Sequence, residues 1–482
     1  MSVLNMEPKE VFRFFEEISS IPRGSGNIQK ISDYLVEFAK QHNLKYLQEP
    51  CGNVIIWKSA TPGYENAPTI ILQGHMDMVC EKDEEAEIDF LTEGVTVQVE
   101  GDVIKADHTT LGGDDGVALA YGLAILSSDV IEHPSLEVVF TVDEEVGMLG
   151  AIALDASVLN GKMLINIDSE DEGILTVSCA GGVTIESTLP VERRTVEGVS
   201  YEIIVEGLLG GHSGVEIHKE RANSNILLGR VLFELSKELG YGIEMVSGGL
   251  KDNAIPRASK AVIWLDEEGE EALLETIEGL GKTLNAEYRA SEKGIVVRAQ
   301  KLPETQGTMI HPRNKEMLIY ILRQLPNGVQ KMSMDIPGLV EASCNLGILK
   351  TTEDSIGFGV SIRSAVESEK IELCEKIAYL TEFLGCECEV KGDYAGWAYN
   401  PDSKLQKVMM EVFEGMYGRK PEVEAIHAGL ECGSLCAKIP GLECISMGPD
   451  MKDIHTPKEQ LSISSTKRVW EYLIEVLKAM KE

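Results

Sequence analysis

PTIILQGH, residues 68–75, is a run of apolar, partly β-branched residues that stops at a histidine. Such a run predicts a buried strand, and LEVVFTVD (136–143) and KMLINID (162–168) repeat the pattern. A helix of small residues, GVALAYGLAILSS (116–128), lies between the first two runs. Alternating strands and helices predict an α/β domain with a largely parallel sheet, in which ligands bind where strands end and loops begin.

The chain is too long for one simple domain, and its pattern changes after about residue 185. Alternating strands such as SYEIIVEG (200–207) and helices then recur twice, without the rhythm of a parallel α/β sheet. This indicates an inserted α+β domain with a possible pseudo-repeat, after which the α/β pattern resumes. We therefore predict an α/β domain in two parts, 1–185 and 394–482, around an insertion at 186–393.

Charge and cysteine content narrow the classes of function. The net charge is −35, from 79 acidic and 44 basic side chains, which disfavours nucleic acid and membrane surfaces as partners. No apolar run approaches the roughly 20 residues that span a bilayer. Ten cysteines without a secretory signal predict reduced thiols and a cytoplasmic location. Because there are no two CxxC pairs, a zinc site built on thiolates is not expected.

Candidate metal ligands follow the predicted strands. His75 and Asp77 are two residues apart at a strand end, so both point to the same side, where His75 offers an imidazole and Asp77 can orient it. Asp114 and Asp115 lie in a glycine-flanked turn that opens a helix. Carboxylates at that position can also simply cap the helix N-terminus.

Further carboxylates and a second imidazole complete the set: Glu144 and Glu145 after LEVVFTVD, Asp168 closing KMLINID, and His455 near the end. Mixed nitrogen and oxygen donors suit zinc, manganese or cobalt. Two cations roughly 3.5–4 Å apart need a carboxylate between them, a role that Asp114 fits. One glutamate of the adjacent pair would then bind a cation, and the other would take a proton from metal-activated water.

The motifs GHMDMV, LGGDDGVALA, TVDEEVGMLGA, NIDSEDEG and IHTPKE, in this order, resemble the di-zinc exopeptidase family that includes aminoacylases, carboxypeptidase G and tripeptidase T. The resemblance covers essentially the whole chain. It implies a zinc-exopeptidase-like mixed sheet flanked by helices, with an inserted α+β lid domain. It also implies two divalent ions per chain, zinc or else manganese or cobalt, and small peptides as substrates. The reaction implied is hydrolysis of the peptide bond of unblocked dipeptides, with Xaa-His among them.

The resemblance also assigns roles to residues. Glu144 would be the general base, and Asp77 would set the orientation and basicity of His75. Asp114 would bridge the metals, since the bridging residue of the family is the first of its acidic pair. The implied metal ligands are His75, Asp114, Glu145, Asp168 and His455, with the two histidines on different metals and Glu145 and Asp168 likewise.

Residues of the inserted domain and of the HAGLECGSL segment would contact the substrate. His212 in GLLGGHSG matches a lid histidine that stabilises the tetrahedral oxyanion, although GGHSG alone fits a capped loop equally well. Asn253 and Arg363 resemble lid residues that contact the substrate carboxylate, which suits the forked guanidinium of arginine. Glu431 would shape the pocket or receive the substrate amine, and His427 lies nearby in sequence. The resemblance implies either a homodimer through the lid or a doubled lid that serves the same purpose within one chain, so whether His212 serves its own chain or a partner stays open.

Two alternatives remain. An N-acyl amino acid deacylase or carboxypeptidase of the same family would share the metals and Glu144 but would not need a group that receives a free α-amine. A peptide- or metal-binding protein without turnover belongs to a different class, and it would not need the glutamate base that Glu144 supplies.

Overall fold

The computed structural model describes residues 6–481, so positions 1–5 and 482 of the predicted α/β parts lie outside the described residues. The chain divides into two compact units. The first comprises Met1–Cys179, Tyr399–Ala425 and Leu430–Glu482, and the second comprises Ala180–Ala398 and Ile426–Gly429. The chain thus leaves the first unit after Cys179 and returns at Tyr399, apart from the short segment Ile426–Gly429.

The elements follow the chain in three stretches. The first contains helices α1 (Lys9–Ser19), α2 (Gln29–Gln41), α3 (Gly113–Ser127) and α4 (Leu149–Ala153), and strands β1 (Lys45–Gln48), β2 (Val54–Lys58), β3 (Ile70–His75), β4 (Val97–Glu100), β5 (Val103–Ala106), β6 (Leu136–Thr141), β7 (Met163–Asn166) and β8 (Ile174–Cys179). The second contains helices α5 (Ser224–Glu238), α6 (Glu270–Glu287), α7 (Pro312–Gln324) and α8 (Glu367–Phe383), and strands β9 (Gly181–Pro190), β10 (Arg193–Glu197), β11 (Val199–Glu206), β12 (Gly211–His212), β13 (Gly242–Gly248), β14 (Ala254–Ile255), β15 (Ser259–Leu265), β16 (Val296–Lys301), β17 (Gln306–Ile310), β18 (Gly328–Met332), β19 (Val340–Thr351), β20 (Ser355–Ser364) and β21 (Glu387–Tyr394). The third contains helices α9 (Lys404–Tyr417), α10 (Glu431–Lys438) and α11 (Ile463–Ala479), and strands β22 (Glu422–Ile426), β23 (Glu443–Ser446), β24 (Met451–Lys452) and β25 (Gln460–Ser462).

The first unit is built on a mixed sheet with the strand order β1-β2-β6-β3-β7-β23-β8-β22. Its central neighbours β6, β3, β7 and β23 are parallel, whereas β1–β2, β2–β6 and β23–β8 are antiparallel pairs. Every residue of β3 and β6 is buried, as expected of strands covered on both faces. The sheet is therefore parallel only at its centre, because β2 runs opposite to the β6 strand beside it.

Helix α3 shows why the centre of this sheet is so well covered. Its sequence is apolar on all sides, and every residue from Gly113 to Leu126 is buried. A helix without a polar face belongs inside a domain. Accordingly, α3 packs against both α1 and β3. The packing places the start of α3 close to the end of β3, where the polar residues of interest lie.

The second unit is an α+β unit around an antiparallel sheet with the order β16-β11-β15-β13-β19-β20-β9-β21, and β18 pairs with β19 at the side of this path. Its strands alternate buried and partly exposed residues, as in β9. The inner face and the helices α5 to α8 share one apolar core. The fold class expected from the sequence, a mixed α/β sheet with an inserted α+β unit, is confirmed. Within residues 6–481, none of the helices combines the length and apolar character that crossing a membrane requires.

Candidate active site

The parallel centre of the first sheet brings the candidate ligands to one edge. Since β6, β3 and β7 run in the same direction as neighbours, their carboxyl ends lie side by side. His75 is the last residue of β3, the Glu144–Glu145 pair follows β6, and Asp168 follows β7. This edge is where parallel α/β sheets bind their ligands.

Asp114 lies between the two imidazoles. Its Oδ1 is 3.1 Å from Nε2 of His75, and its Oδ2 is 3.1 Å from Nε2 of His455. Both carboxylate oxygens of Asp114 are thus directed at imidazoles, and its backbone angles, φ −80° and ψ 110°, interrupt the helix at this point. The peptide bond between Asp114 and Asp115 is cis. A carboxylate that turns one oxygen toward each of two imidazoles has the arrangement a bridge between two cations requires.

Two more carboxylates lie beside the histidines. Oδ1 of Asp168 is 3.6 Å from Nε2 of His75, and Oε2 of Glu145 is 3.0 Å from Nε2 of His455. The donor atoms of His75, Asp114 and Glu145 all lie within 4.8 Å of one another. All five predicted ligands are therefore brought together in the first unit.

Asp115 also lies close enough to compete as a ligand, since its carboxylate forms a second such group with His75 and Asp168. However, its Oδ2 accepts a hydrogen bond from the main-chain N–H of His75 at 3.2 Å. A Cβ on Gly74 would lie only 2.5 Å from that oxygen, so glycine makes room for it. Burial raises the pKa of Asp115 well above its usual value. Asp115 thus fixes the main chain at the end of β3, and Asp114 is the better placed bridge.

The charges of this cluster fit divalent cations. Burial raises the pKa of Asp168 to about 6, and hydrogen bonds to Asp114 and Glu145 raise the pKa of His455 to about 10. Although burial opposes the change, the two imidazoles lower the pKa of Asp114. Oε1 of Glu145 is buried and has no hydrogen-bond partner among residues 6–481. Imidazole and carboxylate donors, with one oxygen left over, are a set that zinc, manganese or cobalt can use.

Asp77 organises both the first histidine and the glutamate pair. Its Oδ1 is 3.4 Å from Nδ1 of His75 and accepts from the main-chain N–H of Glu144 at 3.0 Å. Its Oδ2 accepts from Ser25 Oγ at 2.7 Å and from the N–H of Glu145 at 3.4 Å. Burial raises the pKa of Glu144 to about 9. The sequence indicated the contact with His75, but not that the same carboxylate holds the turn that carries Glu144.

Two charged residues that the sequence analysis missed support the loop before α3. Glu459 is buried, and its carboxylate accepts main-chain N–H bonds from Leu111, Gly112 and Gly113 at 2.7, 3.0 and 2.8 Å. Arg23 is fully buried and donates to the carbonyl oxygens of Met76 and Asp77 at 3.1 Å each, and also to that of Gly112. Glu459 is the last residue of the IHTPKE motif, but nothing in the sequence indicates the loop that its carboxylate contacts, and Arg23 lies in none of the motifs.

Glu431 is buried below the same edge. Its Oε2 accepts from Gln73 Nε2 at 2.5 Å and from Thr141 Oγ1 at 2.7 Å, whereas its Oε1 has no partner within residues 6–481. Burial raises its pKa to about 7. The signal for Gln73 was available: it is a polar residue inside the otherwise apolar run of β3, and a buried polar group needs a partner.

In the second unit, the hydrogen bonds of His212 identify its tautomer. Its Nδ1 lies 3.0 and 3.2 Å from the main-chain nitrogens of Gly214 and Val215, whose N–H groups donate to it. Nδ1 therefore carries no proton, and the proton of the neutral ring is on Nε2. Burial, and then the charge of Arg363, lower the pKa of His212. The ring is a neutral donor.

Arg363, like His212, is a candidate for contact with the substrate, and its side chain is held by its surroundings in this unit. It is only 8% exposed, its Nη1 donates to Tyr394 Oη at 2.8 Å, and its Nε has no partner among residues 6–481. Asn253 is exposed, and its carbonyl oxygen accepts from the N–H of Ser213, next to His212. His427 is buried, with Nε2 2.7 Å from Ser343 Oγ, and burial lowers its pKa to about 3.

The chain is similar to known proteins over nearly its whole length. The sequence profile of "Peptidase family M20/M25/M40" matches residues 71–479. The chain is 33% identical to the cytosol non-specific dipeptidase of Escherichia coli (strain K12), over 98% of both chains. It is also similar to the crystal structure of aminoacylhistidine dipeptidase from Vibrio alginolyticus, with a TM-score of 0.95 and 34% identity, over 99% of this chain and 98% of that one. The aminopeptidase PepT of Bacillus cereus shares the fold at a TM-score of 0.58 and 14% identity, over 99% of this chain and 100% of that one.

Proposed function

The chain belongs to peptidase family M20/M25/M40, and on that premise we propose that it hydrolyses the peptide bond of unblocked dipeptides, Xaa-His among them. It is a metal-dependent peptide hydrolase. Two relatives similar over nearly the whole chain are named as dipeptidases, which supports the substrate class. The observation that carries the proposal is the position of Asp114, with one carboxylate oxygen at each of two imidazoles.

The proposed ligands fall into two sets that share Asp114. His75 and Asp168 would complete one set, and Glu145 and His455 the other, in line with the distances between their donor atoms. Zinc is the proposed ion, and manganese and cobalt accept the same donors. Bound there, divalent cations polarise a scissile carbonyl and bring the pKa of water toward neutrality.

Glu144 is the proposed general base. It would take the proton of the attacking water and return it to the leaving amine. Glu144 must be deprotonated to accept the proton, a form that a bound cation beside it would favour, and burial then helps the carboxyl to hold the proton until the amine leaves. The Asp77 carboxylate keeps Glu144 in place by accepting the main-chain N–H of Glu144. It orients His75 through Nδ1, the ring nitrogen that does not face Asp114.

His212, Arg363, Asn253 and Glu431 are the proposed contacts to the substrate. The Nε2–H of neutral His212 would donate to the oxyanion that forms when the carbonyl is attacked. The guanidinium of Arg363 would bind the substrate carboxylate, to which Asn253 adds an amide. Glu431 would receive the free α-amine through its unpartnered Oε1.

The same proposal includes partners and location. Small peptides are the proposed partners, and the net charge of −35 argues against nucleic acid and anionic membranes. We propose a cytoplasmic location, since the Escherichia coli relative is named a cytosol enzyme. A homodimer through the second unit stays part of the proposal.

The test is turnover by purified protein supplied separately with zinc, manganese or cobalt. The substrates are β-Ala-His, Ala-His, Leu-Leu, a tripeptide and an N-acetylated dipeptide, with the Glu144→Ala protein as blank. We expect cleavage of the free dipeptides alone, and the order of rates will show whether histidine is preferred. Cleavage of only the acetylated peptide would replace the proposal with a deacylase that uses the same metals and base.

A further inference from the structure

Three neighbouring strands of the second unit place Arg363, Gly182 and Tyr394 in one row. Gly182 of β9 lies directly opposite Arg363 of β20 on one side and directly opposite Tyr394 of β21 on the other. Arg363 and Tyr394 are thus separated by a whole strand. Even so, the phenol oxygen accepts a hydrogen bond of 2.8 Å from Nη1 of the guanidinium.

The contact is possible because the middle residue has no side chain. A Cβ on Gly182 would lie 2.5 Å from both Cζ and Oη of Tyr394 and 2.6 Å from Cε1. All three of its nearest atoms belong to the tyrosine side chain, and real Cβ atoms essentially never lie within 3.0 Å of another atom in this way. The ring therefore lies across the space that any other residue would fill.

The main chain of Tyr394 is fixed as firmly as its ring. Its carbonyl oxygen accepts from Nζ of Lys370 at 2.8 Å, and the same ammonium pairs with Asp393 at 2.5 Å. The Lys370 side chain is 3% exposed. A buried ammonium must keep its partners, and a drift of the end of β21 would remove two of the three that Lys370 has, leaving it with Glu367 at 3.1 Å alone.

We propose that Tyr394 is a positioning residue that aims Arg363 at the substrate carboxylate, with Gly182 as the gap that lets it reach. Because the phenol accepts from Nη1, the other edge of the guanidinium, formed by Nε and Nη2, stays available for a ligand. Nε has no hydrogen-bond partner among residues 6–481. That edge carries two parallel N–H donors and matches a carboxylate. The inference rests on the proposed function, because it takes the carboxylate of a dipeptide as the ligand of Arg363.

The test compares Tyr394→Phe with the wild-type protein on a dipeptide and on the amide of the same dipeptide. Phenylalanine keeps the ring over Gly182 and removes only the phenol hydroxyl. For the free dipeptide, we expect KM to rise about fivefold, the size of one lost hydrogen bond, with kcat within about twofold. For the amide, which offers Arg363 no carboxylate, KM should change by less than about twofold. Tyr379→Phe is the matched control, since Tyr379 is exposed on α8 of the same unit.

Three further substitutions, Arg363→Ala, Gly182→Ala and Tyr394→Ala, make the result decisive. In an Arg363→Ala background, Tyr394→Phe should add no further rise in KM. Gly182→Ala should raise KM when it is introduced into the wild-type protein. It should raise KM far less when it is introduced into the Tyr394→Ala protein. Equal KM changes for acid and amide, or an additive effect beside Arg363→Ala, would overturn the positioning role while leaving dipeptide hydrolysis intact. Failure of the wild-type protein to cleave any dipeptide would instead overturn the proposed function, and this inference with it.

Discussion

The loop that presents Asp114 should depend on Glu459, a residue that would touch neither metal nor substrate. Its carboxylate collects four main-chain N–H groups, two on each oxygen: Leu111 and Gly112 on Oε2, and Gly113 and, at 3.4 Å, Asp114 on Oε1. Glu459→Gln keeps the shape of the side chain but replaces one oxygen with an NH₂ group. At most two of the four donors then keep an acceptor.

The structure sets the size of the effect. Each buried donor left without an acceptor costs about 1–3 kcal/mol, so two of them cost about 2–6 kcal/mol. Arg23 adds to the loss, because Glu459 contributes the largest of the attractive charges around its fully buried guanidinium. For a unit of this size, at about 2–4 °C per kcal/mol, that predicts a drop in Tm of about 4–24 °C. Since Asp114 moves with the loop, zinc affinity should fall about 10- to 100-fold, as it does when groups supporting a ligand are lost.

Scanning calorimetry of chelator-treated protein measures the first effect, and zinc titration calorimetry measures the second. Glu471→Gln on α11 is the matched control, because Glu471 is half exposed and lies 3.9 Å from Lys467 as its ion-pair partner. That change should cost less than about 0.5 kcal/mol. If the Glu459→Gln protein melts within about 1 °C of wild type, the prediction is wrong, because the Glu459 carboxyl of the wild-type protein would then already behave as a neutral group.

Four further predictions concern the site and the second unit. Glu144→Gln should lower kcat by about 10²- to 10⁴-fold while bound zinc, measured by plasma mass spectrometry, stays unchanged; parallel loss of zinc would contradict its role as base. Asp168→Ala should reduce bound zinc from about two ions to about one per chain, and an unchanged zinc content would remove Asp168 from the ligand set. His212→Ala should lower kcat by about 10²- to 10³-fold with little change in zinc; full turnover would exclude the oxyanion role. Burial holds the pKa of His427 at about 3, below its value of about 6.5 in an unfolded chain, so the unfolded state binds the extra proton and stability is lost as pH falls from about 6.5 toward 3. Between about pH 7.5 and about pH 5 this amounts to about 2 kcal/mol, and His427→Gln should remove that part of the slope in urea unfolding at the two pH values.

The sequence predicted the parts of the molecule that depend on local pattern. The apolar runs of β3, β6 and β7 end beside His75, Glu144 and Asp168, and parallel strands carry such ends to one edge whatever the rest of the chain does. The proposed ligands His75, Glu145 and Asp168 follow from that rule and from their chemistry. The division of the sheet into a parallel centre and antiparallel flanks did not follow, because strand direction depends on which neighbours pair.

The supporting residues were not predictable for the same reason. Glu459 acts on Leu111, which is 348 positions away in sequence, and Arg23 on Gly112, 89 positions away. In the second unit, Tyr394 reaches Arg363 only because a glycine of a third strand lies between them. Contacts of this kind depend on register and close approach, which neither residue type nor local spacing specifies.

The adjacent glutamates show how one turn can give two like groups different chemistry. Asp77 accepts the main-chain N–H of both residues, so a third carboxylate fixes the backbone and leaves the two side chains free to diverge. Glu145 turns to His455 and pairs with it at 3.0 Å. The Glu144 side chain has no ion pair within residues 6–481, and burial raises its pKa to about 9. The pairing with an imidazole suits Glu145 to its proposed role of ligand, and a partly buried position without an ion pair suits Glu144 to its proposed role of proton carrier. Shortening the two side chains should therefore have different effects. Glu144→Asp should lower kcat with zinc content unchanged, because it withdraws the proposed base from its place, whereas Glu145→Asp should chiefly lower zinc content.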